Sequence, residues 1–269
     1  MESHYTAYKE DSLHLNEKSP FFWDHVTRYW WATKLTKDKI VLDCACGKGY
    51  GTYILASSSK SVTGIDLNTI SIEIAQRVFK KDNLAYKIAD ILSLEKLQDK
   101  FDVITAFEAI EHIHSDLNDG FITSLKRAIS PSGKIIISTP NHDVVLKSRS
   151  SIPSFHINNF RSKELRTFLL KHFDDVQMIG QFRPKGTLYN LLFKFDYFNL
   201  RHVIKNLSVL PSKIQLMENS VKEDIIANSE LKINPAFIDC PLEFKRYHFS
   251  SSHWRQAGLT IAICQNPKK

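Results

Sequence analysis

Five consecutive residues, Glu108-Ala109-Ile110-Glu111-His112, carry two carboxylates and an imidazole. If they form one helical turn, Glu108 shares a face with Glu111 and His112, because side chains three and four residues apart lie above one another. Two chemistries suit such a trio. Histidine titrates near neutrality and can take a proton from a reacting group. Alternatively, mixed carboxylate and imidazole donors suit Mg²⁺, Mn²⁺ or Zn²⁺ better than metals that prefer thiolates. Two nearby carboxylates repel one another unless a metal ion or an imidazolium accompanies them. His112, Glu111 and Glu108 are therefore the catalytic candidates, and the choice between base and metal stays open.

A second signal lies upstream. A hydrophobic strand from about Lys39 runs through Val41-Leu42-Asp43 into Gly47, Gly49 and Gly51 at alternate positions. Glycine lets backbone approach a ligand where a Cβ would clash. A dinucleotide loop would carry a third glycine where Thr52 stands. Asp43, four residues before Gly47, would repel a pyrophosphate and suits a ligand with positive charge near the loop. S-adenosylmethionine has a sulfonium, an ammonium and no phosphate. A second strand, Ser61 to Ile65, ends at Asp66, whose carboxylate can accept two hydrogen bonds from a ribose diol.

The elements that must position these groups alternate. Strand signals fall at Leu84 to Ile88, Phe101 to Phe107, the run after Pro131-Ser132-Gly133, Asp175 to Gly180 and Leu259 to Cys264. Helical periodicity falls at Ile70 to Phe79 (apolar Ile70, Ile72, Ile74, Ala75 and Val78), Leu117 to Ile129, and Arg161 to Leu170, the last with Ser162 as its cap. Such alternation predicts an α/β protein: a doubly wound, seven-stranded, mostly parallel sheet. Ligands of such sheets sit at the carboxyl ends of the strands, which is where Glu108 to His112 and the glycine loop fall. The expected organisation is an N-terminal helical element (1–38), a cofactor-binding core (39–181), a cap or substrate element (182–254) and a last strand completing the sheet (255–269). The aromatic-rich Pro20 to Trp31 either closes over the cofactor or packs on the sheet.

From Lys39 to Gln181 the chain resembles the class I S-adenosylmethionine-dependent methyltransferases and their Rossmann-like fold. Asp43, Gly47, Gly49 and Gly51 resemble that family's first motif, Asp66 its ribose-binding acid, and Ala89-Asp90-Ile91 its adenine-edge motif. The resemblance implies S-adenosyl-L-methionine as cofactor, held by Asp43, Ala45, Gly47, Gly49, Gly51, Asp66, Leu67, Asp90, Ile91 and Phe107, with Arg28 and Tyr29. The Glu-x-x-Glu-His motif is similar to that of the ubiquinone-biosynthesis O-methyltransferases. It is also similar to the metal motif of small-RNA 3′-terminal 2′-O-methyltransferases, in which a downstream histidine joins the site. His156 would fill that place, implying a Mg²⁺ or Mn²⁺ site of Glu108, Glu111, His112 and His156. The RNA group's extended histidine-rich signature is not matched. Overall the order of motifs most resembles bacterial methyltransferases associated with surface-polysaccharide assembly. That implies O-methylation of a sugar hydroxyl of a glycan, a lipopolysaccharide or an activated sugar precursor. The alternatives are a quinone or phenolic acceptor, then RNA 2′-O-methylation or a non-catalytic cofactor-binding protein.

Bulk properties bound the rest. The 269 residues are 43% hydrophobic, enough for one α/β domain with additions. No run of 18 apolar residues is present and the first residues lack a signal-peptide pattern, so a cytoplasmic protein with reduced, packed thiols is expected rather than a Cys44-x-Cys46 metal site. Residues 1–140 hold 17 Lys+Arg against 18 Asp+Glu, whereas residues 141–269 hold 19 against 11. The basic half suits an anionic partner: a small-molecule or phosphate-bearing glycan acceptor, nucleic acid or anionic lipid; nucleic acid is the less expected because no RNA-binding module accompanies the motifs. Arg183 to Asn206 mixes basic and aromatic residues and allows peripheral membrane contact. Nothing in the sequence specifies an oligomer.

Overall fold

The computed structural model describes residues 20–97, 99–148, 155–183 and 247–268. Residues 184–246 of the stretch expected to form the cap, including Tyr189, Phe193, Phe195, Tyr197 and Phe198, lie outside the described residues, as does the chain before Pro20. Strands are β1 (Ile40–Cys44), β2 (Ser61–Asp66), β3 (Leu84–Ile88), β4 (Phe101–Phe107), β5 (Ile129–Pro140), β6 (Phe173–Phe182), β7 (His248–Ser250) and β8 (Leu259–Pro267). Helices are α1 (Pro20–Thr36), α2 (Tyr50–Leu55), α3 (Thr69–Val78), α4 (Asn118–Ala128), α5 (His142–Ser148) and α6 (Ser162–His172).

One sheet results, in the order β3-β2-β1-β4-β5-β8-β6-β7. The pairs from β3 to β5 are parallel, and β8 is antiparallel to both β5 and β6. The seven expected strands are all there. The eighth, β7, is three residues long and pairs antiparallel with the end of β6 on the outer edge, Phe182 opposite His248. Strand order reverses between β1 and β4, and α/β sheets place ligands at such a switch point. Asp43, Ala45 and Glu108 all stand at that reversal.

Apolar patterning explains the layers. The central strands are buried on both faces, with Val41, Leu42, Cys44, Ile104, Ala106, Ile136 and Ile137 all at 0% exposure, as parallel sheets covered by crossover helices require. Helix α4 turns Phe121, Ile122, Leu125 and Ala128 into the core at helical spacing. Helix α3 buries Ile72, Ile74 and Ala75, and Asn68 caps it by accepting the Ser71 N–H at 3.0 Å. Ile70 departs from its expected place on that face. It sits in the first turn, at the carboxyl end of β2, and is 60% exposed. Ser162 is not the cap of α6. Arg161 holds that position and its N–H donates to Glu164 Oε2 at 3.1 Å. The Ser162 hydroxyl instead pairs with Thr260 Oγ1 at 3.0 Å, joining α6 to β8.

Helix α1 packs rather than merely covering. Phe22, Val26, Tyr29 and Ala32 are buried, and Trp31 stacks on Phe249 with ring centroids 5.3 Å apart. Its close approach to α2 depends on Gly51. A Cβ there would fall 2.1 Å from the Tyr29 ring. Gly51→Ala must displace that ring, and overpacking of this kind costs about 1–3 kcal/mol. Gly120, in α4, faces open space, so Gly120→Ala should stabilise by about 0.5–1 kcal/mol through helix propensity. Thermal unfolding of the two variants is expected to move in opposite directions.

Candidate active site

Asp43 lies under the switch point, fully buried, with its carboxylate held by three hydroxyls. Thr105 Oγ1 donates to Oδ1 at 2.7 Å, Tyr29 Oη to Oδ1 at 3.3 Å and Thr52 Oγ1 to Oδ2 at 2.8 Å. Thr105 reaches it because the two residues are register partners across β1 and β4. Burial pushes the Asp43 carboxyl up to about 6, against the pull of those hydroxyls. A group sealed this way acts on a ligand through its field and through the loop it anchors.

The three alternate glycines divide by role. Gly47 has φ +54° and open space where a Cβ would stand. Gly49 has φ +85°, and a Cβ there would strike Ala75 at 2.5 Å and Tyr86 at 2.8 Å. Gly51 meets Tyr29. Close backbone approach to a ligand is thus available at Gly47, while Gly49 and Gly51 serve packing of the loop against the protein. Ala45, the strand's exit, is also left-handed at φ +56°. Its Cβ makes that conformation cost about 1–2 kcal/mol.

Asp66 ends β2 beside Gly47. Its Oδ2 accepts the Gly47 N–H and its Oδ1 the Asn68 N–H, both at 2.8 Å. Each oxygen keeps a further lone-pair direction. Burial raises its pKa, opposed by these backbone donors and the Leu67 N–H. Leu67 follows, half-buried, and Ala89 N–H donates to Asp66 O at 3.1 Å, bringing the ends of β2 and β3 together. Beyond β3, Asp90 is half-buried and its Oδ1 accepts the Leu92 N–H at 2.8 Å, while the Ile91 side chain packs into the core. The open cradle at Gly47 with the Asp66 carboxylate at its edge fits a ribose-bearing cofactor.

The expected gathering of Glu108, Glu111 and His112 on one helical face is not formed. Glu108 has φ +50° and stands before a short 3₁₀ turn, Ile110–His112. Its carboxylate turns the other way, to Arg28. Arg28 is 1% exposed and its Nη1 lies 3.1 Å from Glu108 Oε1 and 3.0 Å from Ser138 Oγ. Arg28 Nε donates to Gln181 Oε1 at 3.1 Å, and its guanidinium carbon lies 5.6 Å from the Phe107 ring centre. Ser138 Oγ also donates to Glu108 Oε1 at 3.1 Å. Two of the Arg28 nitrogens are thus engaged within the protein. Tyr29 likewise serves Asp43.

Glu111 is different. It is 1% exposed, and both its oxygens are buried without a hydrogen-bond partner, as is the Thr139 hydroxyl. Burial and then the charge of Glu108 hold its carboxyl well above the ordinary range; Thr139 eases this slightly without completing a hydrogen bond. His112 and His156 complete the group. One ligand atom from each of Glu111, His112 and His156 lies within 4.8 Å of the others. The imidazole rings are 5.0 Å apart, edge to face, and His112 lies against Phe155 at 5.9 Å. His112 Nδ1 is 3.3 Å from the Phe155 carbonyl, an acceptor, so Nδ1 carries the proton and the lone pair sits on Nε2. Of the four expected metal ligands, three are together. Glu108 is not in that group, and its carboxylate is paired with Arg28. A buried carboxylate with unmet oxygens beside two imidazoles fits a divalent cation.

Polar residues within buried strands were the missed part of the site. Thr105, Ser138 and Thr139 interrupt apolar runs, and that interruption was a readable signal. Gln181 and Asn158 carried none. Cys44, Cys46 and Cys264 are buried and free. None of the described helices is long and apolar enough to cross a membrane.

Residues 35–179 match a family model described as a methyltransferase domain, more than half of the chain. The chain belongs to that family, and with it to the class I S-adenosylmethionine-dependent methyltransferases. It is 34% identical over 109 residues to a ubiquinone biosynthesis O-methyltransferase of Coxiella burnetii, covering 40% of this chain and 46% of that protein. It is 27% identical over 144 residues to a probable S-adenosylmethionine-dependent methyltransferase of Mycobacterium tuberculosis, covering 53% and 51%. The chain thus spans about half the length of these relatives. In fold it is similar to the N-methyltransferase NodS of Bradyrhizobium japonicum, solved with S-adenosyl-L-homocysteine. There the TM-score is 0.54 at 17% identity, over 68% of this chain and 92% of that one.

Asp66→Ala should weaken S-adenosylmethionine binding at least tenfold, since a hydrogen bond to a charged group contributes about 1.5–3 kcal/mol. Gly47→Ala should weaken it comparably while costing about 1–2 kcal/mol of stability for its left-handed backbone. Calorimetric titration of both variants checks this. Unchanged affinity in either would remove that residue from the cofactor site.

Proposed function

We propose that this protein is an S-adenosylmethionine-dependent O-methyltransferase acting on a sugar hydroxyl of a glycan or its activated precursor. The observation that carries this reading is Glu111, buried with both oxygens unpartnered and set beside His112 and His156 at the carboxyl end of the sheet. A hydroxyl is a poor nucleophile until it loses its proton. A cluster able to draw that proton away, or to lower its pKa, is what such an acceptor needs.

When bound, S-adenosylmethionine supplies a methyl group on a positively charged sulfur. Asp66 and the Gly47 backbone would hold its ribose end, and Asp43 adds a buried negative field. The remaining task of the chain is to hold the acceptor oxygen at contact distance, which removes much of a displacement barrier. A divalent ion on Glu111, His112 and His156 would lower the acceptor's pKa. Two imidazoles and one carboxylate suit Mn²⁺ better than the oxygen-preferring Mg²⁺. Without an ion, His112 Nε2 is positioned to take the acceptor's proton as a base. We assign acceptor selection to the segment 182–254, whose residues His248–Ser250 also pair with β6 in the core sheet.

The ubiquinone-biosynthesis relatives support a second reading, a phenolic acceptor. Tritium transfer from labelled S-adenosylmethionine to a cell-envelope glycan fraction or to a catechol separates the two. Label in the glycan alone supports the sugar reading, and label in the catechol alone replaces it. No transfer to either, with cofactor bound, argues for a non-catalytic protein.

Chelation should abolish transfer, and Mn²⁺ should restore it better than Mg²⁺. Glu111→Ala should lose that response. Mn²⁺ affinity should rise with pH, because the raised Glu111 pKa means that a proton must leave before the ion enters. In chelator, folded Glu111 holds its proton more tightly than the unfolded chain does. Stability contributed at pH near 4 should therefore fall as pH rises through the folded pKa. Glu111→Gln should remove that slope and raise stability at pH 8 by about 1–3 kcal/mol. Undiminished transfer by a metal-free, chelated sample would leave His112 as a base.

A further inference from the structure

We infer that Asn158 is the positioning residue that seats His156 beside Glu111 and His112. This rests on the reading of those three side chains as the acceptor-activating cluster. His156 comes from the loop between α5 and α6, far in sequence from the turn that carries the other two, so something must dock that loop.

Asn158 is 8% exposed and joins three elements at once. Its backbone N–H donates to the Glu111 carbonyl at 3.0 Å. Its Nδ2 donates to the Ile110 carbonyl at 3.1 Å and to Asn118 Oδ1 at 2.8 Å. Asn118 is itself buried, in the first turn of α4. The loop is held again on either side, by the Phe155 carbonyl on His112 Nδ1 at 3.3 Å and by the His142 N–H on the Phe160 carbonyl at 3.1 Å. Both hydrogens of the Asn158 carboxamide face acceptors. The position therefore demands two donors on one atom in a buried site, which a carboxylate of the same shape cannot supply. His156 lies two residues away, and its own carbonyl accepts from Asn159 Nδ2 at 2.9 Å, which stiffens the link between them. Residues that orient metal-binding side chains typically cost 10–100-fold in metal affinity when replaced.

The test compares Asn158→Asp, Asn158→Ala, His156→Ala and the Asn158→Ala/His156→Ala double variant. Mn²⁺ binding is read by electron paramagnetic resonance, with S-adenosylmethionine affinity as the control for an intact core. Asn158→Asp is expected to weaken Mn²⁺ at least tenfold with cofactor affinity within twofold of wild type. The double variant should bind Mn²⁺ no more weakly than His156→Ala alone, because the two residues act as one. Additive losses would overturn the inference while leaving the cluster intact. Unchanged Mn²⁺ binding in His156→Ala would instead remove His156 from the cluster. Should wild type bind no Mn²⁺, the His156 ring resonances decide, assigned by their loss in His156→Ala. They sense the rings of His112 and Phe155 at 5.0 and 5.1 Å. Their collapse toward free-histidine shifts in Asn158→Asp supports positioning, and unchanged shifts refute it. If Asn158→Asp does not fold, Asn118→Ala removes one acceptor only and should produce a smaller loss of the same kind; no loss refutes it.

Discussion

The ion pair between Arg28 and Glu108 organises the reactive end of this sheet. Both side chains are withdrawn from water, and a buried charge without its partner is costly, so neither can leave. Arg28 draws α1 onto the ends of β4, β5 and β6 through Glu108, Ser138 and Gln181. The clamp continues outward, where Asp24 receives Arg183 and Tyr247. Arg28 supplies Glu108 with its counter-charge. Glu111 then faces the histidines without a cation of its own among the described residues.

This division of two acids has an electrostatic logic. Burial raises the Glu108 pKa, and the Arg28 guanidinium and the Ser138 hydroxyl beside it oppose that rise. Glu111 is raised by burial and by the charge of Glu108. It is therefore poised to exchange a proton for a cation or to hold the proton when none is present. Both carboxyls are raised by burial, but only Glu108 has a guanidinium paired with it, so the two acids three residues apart stand in different surroundings.

The fold was legible because its signals are periodic. Apolar strands alternating with helical faces, glycines after β1 and an acid after β2 all follow from backbone physics that acts locally. The site was legible in composition but not in geometry. Nothing in Glu108 to His112 says that Glu108 takes a left-handed backbone, since that depends on Ser138 and Arg28, 30 and 80 residues away. The same holds for the glycines. Their spacing suggested one shared task, yet Tyr29 and Tyr86, which Gly51 and Gly49 make room for, are remote in sequence. His156 was accessible only through resemblance, and Asn158 not at all, because a lone asparagine in a loop has no pattern.

The small strand β7 bears on how such a protein can change. Phe182 and His248 are register partners on neighbouring strands, so the chain departs and comes back within about 5 Å. Closing a longer loop between two such paired ends costs only about 0.6 kcal/mol for each doubling of its length. A sheet edge of this kind is a socket: the intervening segment can be lengthened, shortened or exchanged between lineages while β6 and β8 keep their pairing. A change of length between Phe182 and His248 would then leave the register of β6 with β8, and so the rest of the sheet, as it is.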